Sequence, residues 1–233
     1  MNVILLAGGL GQRLRGAVPD VPKPLAPVAG RPFLEHLMDY WIGQGATRFV
    51  LSVGYKHEMV EAHFGAAYRS LPVEYAVERE PLDTGGALLL ALAGTGADAP
   101  VFAANGDTFF ALDAAAMHRY HAARAALFTM ALFRATDAGR YTPVECGAEG
   151  RITAMRAPGS GVPPLANGGV YLIEPEAFSR TGFRPGDRVS LESELLPALL
   201  HAGARVFGFE SEARFIDIGV PEDYARAAQV LPA

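Results

Sequence analysis

Apolar residues along this chain follow two rhythms. Short, wholly apolar runs alternate with longer stretches in which apolar positions recur every three or four residues. The first pattern reads as buried strand and the second as amphipathic helix. The spacing predicts strand at 2–7, then a helix over 31–45 with Phe33, Leu34, Leu37, Met38, Trp41 and Ile42 on one face. Gly43 and Gly45 stop that helix. Strand follows at 48–54, a short helix at 56–64, strand at 73–78 and helix at 84–94. Strand at 100–107, helix at 112–124 and strand at 126–133 continue the alternation. Strands this apolar, separated by helices, predict an α/β fold: a mostly parallel sheet covered by helices on both faces.

The second half changes character. Residues 142–156 read as an antiparallel hairpin turning near Glu149-Gly150, and 157–166 as a loop or lid. Strand is expected at 167–175, and a helix at 190–203 that is interrupted or kinked near Pro197. Strands at 205–210 and 213–219 precede a last helix at 221–231, with proline in its first turn. No repeat and no linker divides the chain. One domain over 1–233 is expected, with the hairpin and lid, about 139–167, added beside the sheet.

Composition narrows the partners. The 233 residues are 50% hydrophobic and 19% charged, enough to bury a full core. Net charge is −5 without a block of like charges, so bulk attraction to nucleic acid or to an anionic membrane is missing. The single cysteine, Cys146, excludes an intrachain disulfide framework and a thiolate metal cluster. The N-terminal apolar run is too short for a signal peptide or a membrane span. These features predict a soluble protein of a reducing compartment, the cytoplasm, with no nucleic-acid or membrane partner. A homo-oligomer is compatible with them.

Residues 5–25, LLAGGLGQRLRGAVPDVPKPL, concentrate the candidate chemistry. The first strand empties into Gly8, Gly9 and Gly11, followed by Arg13, Arg15 and Lys23. Glycines let backbone N–H groups approach an anion closely, and in an open α/β sheet ligands bind beyond the carboxyl ends of the strands. Pro22 and Pro24 frame the lysine stiffly. Two familiar nucleotide loops fail here. The GxxxxGK[ST] pattern meets Ala17 where lysine is required, and GxGxxG meets Leu14. The second failure disfavours a dinucleotide-dependent dehydrogenase. Asp107 and Asp217 each end an apolar run; if both strands are parallel members of the sheet, their carboxylates share the edge of the glycine loop. Mg²⁺ takes hard oxygen ligands, often one or two carboxylates plus substrate phosphates. His118 and His121 lack a third ligand and read as solvated helix residues, and Cys146 as a small core residue. Residues 78–90 place Asp83 or Thr84 at a helix N-terminus with Gly85 and Gly86 in the first turn, which suits either a capped, closely packed helix or a backbone edge that receives a base.

LAGGLGQRL followed by PKPL resembles the signature of the sugar-1-phosphate nucleotidyltransferases, with Gln12 in place of the common threonine. EPLDTGGA (80–87), NGDTFF (105–110), NGGVYLI (167–173) and FIDIGVPEDY (215–224) follow in that family's order and spacing. Among its subfamilies these segments are most similar to the D-glycero-D-manno-heptose 1-phosphate guanylyltransferases. The resemblance implies a Rossmann-like fold of the nucleotide-diphospho-sugar transferase type. It also implies transfer of a nucleotidyl group from GTP to a heptose 1-phosphate with release of pyrophosphate. A uridylyl- or thymidylyl-transferase for another sugar phosphate is the nearest alternative. A non-catalytic sensor of nucleotide sugars is a more distant one, which the retained Arg13, Lys23, Asp107 and Asp217 argue against.

Carried onto this sequence, the family pattern gives each residue a task. Leu6, Ala7, Gly8, Gly9 and Gly11 bind the nucleotide, with Thr84, Gly85 and Gly86. Arg13 and Lys23 are the catalytic pair, Arg13 on the triphosphate and Lys23 on the reacting phosphates. Asp107 and Asp217 hold Mg²⁺. Glu78, three residues before Pro81, reads the base edge. A carboxylate only accepts hydrogen bonds, which suits guanine and disfavours adenine, yet does not separate GTP from UTP. Asn167 and Gly168 fall on the sugar side. Glu192 is a further sugar candidate, although Ser-x-Glu at a helix start also reads as a cap. Relatives carry a lysine before Asn-Gly-Gly that holds the sugar phosphate; here the stretch reads AMRAPG, and Arg156 is the candidate for that charge.

Overall fold

The computed structural model describes every residue except 10, 12, 15, 17, 136–140, 156–164 and 233. Chain order runs β1 (Asn2–Leu6), β2 (Pro27–Val28), β3 (Arg31–Pro32), α1 (Phe33–Gly43), β4 (Arg48–Val53), α2 (His57–Phe64) and β5 (Ala67–Tyr68). It continues through β6 (Leu71–Val77), α3 (Asp83–Thr95), β7 (Val101–Asn105), β8 (Thr108–Phe110), α4 (Ala114–Ala123) and β9 (Phe128–Arg134). The remainder is β10 (Val144–Cys146), β11 (Ile152–Met155), β12 (Leu165–Ile173), α5 (Leu196–His201), β13 (Val206–Glu210), β14 (Phe215–Asp217) and α6 (Pro221–Val230).

Eight strands form the central sheet in the order β13-β9-β12-β7-β1-β4-β6-β5. β7, β1, β4 and β6 pair in parallel, as do β13 and β9. β12 runs antiparallel to both β7 and β9, and β5 antiparallel to β6. The reversal of β12 matters for function. Its first residues lie at the edge where the neighbouring strands end.

Alternate side chains of the strands feed two cores. On one face Val3, Leu5, Phe49, Leu51 and Phe102 pack with Phe33, Leu37 and Trp41 of α1, Val60 of α2 and Met117 of α4. On the other, Ile4, Val50, Ala103, Met130 and Tyr171 pack with Leu88 and Leu92 of α3 and with Leu195 and Leu199. Burial on both faces explains why these strands read as unbroken apolar runs. The mostly parallel sheet with helices on both faces is the fold expected from the sequence.

Four expectations change. First, Arg31–Pro32 is not helical; it pairs with Pro27–Val28, and α1 starts at Phe33. Second, β14 does not join the central sheet. It pairs antiparallel with β8 in a two-stranded ribbon, Asp217 opposite Thr108. Third, the helix expected over 190–203 is not one α-helix with a kink. Leu191–Leu195 form a π-helical turn, in which Leu195 and Leu196 N–H reach back five residues to the carbonyls of Ser190 and Leu191. α5 then begins with Pro197 in its first turn, where proline's missing N–H is harmless. Fourth, neither Asp83 nor Thr84 caps α3. Asp83 adopts φ +58° and pairs with Arg188 Nε at 2.9 Å. The hairpin does form, as β10 and β11, and it turns at Ala148–Gly150 with Glu149 and Gly150 both at positive φ. Arg156 and most of the expected lid, up to residue 164, lie outside the described residues.

Candidate nucleotide and sugar site

Four adjacent parallel strands, β7, β1, β4 and β6, end side by side. Beyond their carboxyl ends opens a cleft of about 910 Å³, within the size range of small-molecule sites. Leu6, Ala7, Gly8, Gly9, Gly11, Arg13 and Lys23 line it from the first loop. Gly54, Tyr55 and His57 follow β4, Glu78 and Pro81 follow β6, and Asn105, Gly106 and Asp107 follow β7. Backbone bonds tie these loop starts together: Ala7 N–H donates to Ser52 O at 2.7 Å and Gly106 N–H to Leu6 O at 2.8 Å.

The lysine frame behaves as its prolines dictate. Pro22 is extended at φ −66°, and Lys23–Leu25 form one 3-10 turn with Pro24 buried. Gly11, at φ +59°, packs against the Lys23 stem; a Cβ there would stand 3.2 Å from Lys23 Cβ. Lys23 Nζ ends 2.5 Å from Asp107 Oδ2, and its side chain is only 11% exposed. Asp217 reaches the same place from the ribbon, since Ile218 N–H donates to Asp107 O at 2.9 Å. Gly219 marks where these groups converge. A Cβ on it would lie 2.8 Å from Asp217 Oδ1 and 3.3 Å from both Arg13 Nη2 and Lys23 Nζ. Two cations and one carboxylate thus border Gly219 at the cleft, and the second carboxylate, Asp107, joins them through Lys23.

This donor set can be tested against a metal. Asp107 and Asp217 offer only hard carboxylate oxygens, and among the described residues no three acidic, histidine or cysteine side chains cluster as a metal site. A divalent ion here would draw its remaining ligands from water and phosphate, which is the habit of Mg²⁺ and not of a thiolate- or imidazole-bound metal. The residues fit.

Glu78 closes the cleft's far wall. Its carboxylate is turned onto the first loop, and a Cβ on Gly8 would strike Glu78 Oε1 at 2.0 Å. Only glycine lets the two approach so closely. Leu82 N–H donates to Oε2 at 3.2 Å, and Ser52 Oγ stands 3.5 Å from Oε1. Burial pushes the Glu78 pKa up, against the pull of these donors. Thr84 also lines the cleft. Gly85 and Gly86 do not. A Cβ on Gly85 would meet Val189 O at 2.8 Å, and one on Gly86 would meet Asp187 O at 2.2 Å. Their place in the sequence is explained by close packing of α3 on 187–191.

Beside the cleft, across Asn105, lies a second polar group. Asn167, at the start of the reversed β12, donates from Nδ2 to Tyr171 Oη at 2.9 Å and faces Glu192 Oε1 at 3.4 Å. Its Oδ1 accepts from Gly169 N–H at 2.9 Å, holding a turn with Gly169 at φ +69°. Gly168 is buried against the Phe110 ring. The cap of the following helix is made without Glu192: Ser190 Oγ accepts from Ser193 N–H, and Glu194 Oε2 accepts from Ser190 N–H at 2.9 Å. Glu192 is left to face Asn167, and burial pushes its pKa up.

Asn105 is the residue that sequence reasoning passed over. Its Oδ1 is buried without a hydrogen-bond partner, between the cleft and Gly169. Its neighbours in Asn-Gly-Asp were the only available signal. His118 and His121 stay outside the site. His118 is exposed, as expected, but His121 is not solvated: it is 2% exposed, bonded to Thr129 Oγ1 at 2.8 Å and set against Glu174 at 3.3 Å. Burial lowers its pKa. Cys146 is half-buried, and burial raises its thiol pKa, which suits a packing residue and not a nucleophile. No helix among the described residues is long and apolar enough to cross a membrane.

Residues 2–233 match the family model described as nucleotidyl transferase. A D-glycero-alpha-D-manno-heptose 1-phosphate guanylyltransferase of Aneurinibacillus thermoaerophilus is 38% identical over 231 residues, spanning 99% of this chain and 98% of its own. A protein of the same name from Campylobacter jejuni is 34% identical over 224 residues, spanning 96% and 97%. Among solved structures, HddC from Yersinia pseudotuberculosis complexed with GMP-PN is 30% identical, covers 98% of both chains and superposes with a TM-score of 0.83.

Proposed function

This chain belongs to the nucleotidyl transferase family, and on that premise we propose that it transfers a guanylyl group from GTP to a sugar 1-phosphate. D-glycero-D-manno-heptose 1-phosphate is the preferred acceptor, by likeness to the guanylyltransferases above. The observation that carries the reading is the gathering of Arg13, Lys23 and Asp217 around Gly219 at the glycine-loop cleft, with Asp107 joined through Lys23.

A phosphate oxygen of the sugar attacks the GTP α-phosphorus in line. A new O–P bond forms, the bond to the β-phosphate oxygen breaks, and pyrophosphate leaves. Such chemistry needs positioning and charge neutralisation more than a protein nucleophile. The N–H groups of the Gly8–Gly11 turn and Arg13 hold the triphosphate. Lys23, stiffened by its prolines, stands at the reacting phosphates. Divalent metals are general in this family, and Mg²⁺ held by Asp107 and Asp217 would supply charge neutralisation and alignment of the phosphates. Glu78 accepts from guanine N1–H and the adjacent amino group. Donors aimed at a carboxylate favour its ionised form, so guanine binding offsets the burial that raises the Glu78 pKa. Asn167 and Glu192 face sugar hydroxyls, and Arg156 carries charge for the sugar phosphate. A cytoplasmic setting and a single catalytic unit over 1–233 go with this reading: the substrate is a nucleoside triphosphate, and residues from 6 to 219 contribute to one site.

Pyrophosphate release over four nucleoside triphosphates and a panel of sugar 1-phosphates tests it. GTP with a manno-configured heptose 1-phosphate should be fastest, and Glu78→Gln should reduce the GTP preference by roughly tenfold, as loss of a charged hydrogen-bond acceptor implies. Fastest release with UTP or dTTP, or unchanged relative rates in the variant, would remove the guanylyl assignment. Gly219→Ala provides a check on the catalytic point. Its methyl group intrudes among Asp217, Arg13 and Lys23 and should lower kcat by roughly tenfold or more through misplacement of reacting groups. A variant with the wild-type kcat would separate Gly219 from the site.

A further inference from the structure

Lys23 has two claims on it. Its catalytic place is at the reacting phosphates, yet its ammonium stands 2.5 Å from Asp107 Oδ2. The other Asp107 oxygen faces Thr108 Oγ1 at 3.1 Å. Asp217 Oδ1 accepts from Gly219 N–H at 2.6 Å, close to Arg13 Nη2. Among the described residues, the two cations and two carboxylates of the cluster balance in charge. A free divalent ion arriving here must compete with a bound ammonium for one carboxylate and sit beside a guanidinium.

We infer that Lys23 is the resident counter-ion of the metal site, so that this site takes a metal–triphosphate complex and not the free ion. This rests on the guanylyltransferase reading and adds an order of events to it. A triphosphate offers Lys23 and Arg13 anionic oxygens in place of the carboxylates. Lys23 then leaves Asp107 for the phosphates, and the vacated carboxylate accepts the incoming ion's charge. The Lys23 side chain need swing only a short way, because Pro22, Pro24 and the Gly11 contact fix its backbone and Cβ. The same movement makes Asp107 available and puts the lysine where the reaction requires it. Nucleotide and metal therefore bind with positive coupling, and the coupling is reciprocal.

Mn²⁺ binding, followed by electron paramagnetic resonance on the full chain without acceptor sugar, tests this independently of turnover. The wild-type protein should bind Mn²⁺ weakly alone and at least tenfold more tightly when GTP is present. Lys23→Met, similar in length and uncharged, should bind Mn²⁺ alone about tenfold more tightly than wild type, as expected for release of a partly buried carboxylate from its partner. Lys23→Arg, which keeps the cation, should stay weak. Unchanged or weaker Mn²⁺ binding in Lys23→Met, or tight binding by wild type without nucleotide, overturns the inference. The guanylyltransferase reading fails differently, by absence of GTP-dependent pyrophosphate release in the wild-type enzyme.

Discussion

Lys23→Ala is expected to lower kcat for pyrophosphate release by about 10²–10³, the usual cost of removing one preorganised electrostatic contact from a transition state. KM for GTP should change far less, because the glycine-loop amides and Arg13 remain. The size follows from preorganisation. Lys23 sits between two prolines on a 3-10 turn, with its stem against Gly11 and its head largely shielded from solvent. Once it has turned from Asp107 to the phosphates, an ammonium on so fixed a stem needs little rearrangement when charge develops on the α-phosphate. Lys23→Arg should recover only part of the loss, since a planar fork cannot replace a point charge at the end of the same stem. Steady-state kinetics over both variants checks the claim. A Lys23→Ala enzyme with near-normal kcat would take the lysine out of the chemistry.

Gly86→Ala should destabilise the fold by about 1–3 kcal/mol, the typical cost of overpacking. The added methyl meets Asp187 O at 2.2 Å and Leu82 Cβ at 2.9 Å. The contact is reinforced on both sides, since Gly86 N–H donates to Val189 O and Val189 N–H to Leu82 O, each at 3.0 Å. Helix propensity favours alanine by about 1 kcal/mol, too little to offset a collision with backbone. At roughly 2–4 °C per kcal/mol for a chain of this size, thermal unfolding should register the change. A second effect follows from connectivity. The segment pushed aside leads directly into Ser190 and Glu192, so KM for the sugar phosphate should rise while KM for GTP holds. An unaltered melting temperature would show that 187–191 yields freely.

The nucleotide half of the candidate site was legible because its residues are local in sequence. Glycines, Arg13 and the Pro-Lys-Pro frame fall within one loop, and Asp107 ends a strand of evident apolarity. Asp217 was found for an incomplete reason. Three residues, Phe215–Asp217, carry the same apolar signature whether they join the central sheet or a separate ribbon, and pairing partners leave no mark on periodicity. The reversal of β12 was hidden in the same way, because a strand buried on both faces reads alike in either direction. Gly85 and Gly86 show the converse limit. A glycine pair at a helix start fits an approach to a base or to a neighbouring backbone, and only the packing of 187–191 distinguishes them. Glu192 was obscured by Ser190, whose cap is completed by Glu194 instead. His121 was misjudged because Glu174 and Thr129, which satisfy it in the interior, lie on other elements.

The π-helical turn at Leu191–Leu195 gives the proposed sugar side an unusual sensitivity to chain length. Leu195, Leu196 and Leu199 anchor the helix to the core, while Glu192, just upstream, faces Asn167. The wide turn accommodates one residue more than an α-helical turn would. Deleting a single residue between Glu192 and Leu195 would restore regular winding and swing Glu192 by about 100° around the helix axis relative to that anchored face. The glutamate would then leave Asn167, and the buried Leu191 beside it would turn out of its place in the core. With Glu192 on the acceptor as proposed, acceptor choice would be tied to helical phase. On the proposed reading of Glu192, an insertion or deletion, and not only a substitution, would redirect what this pocket reads.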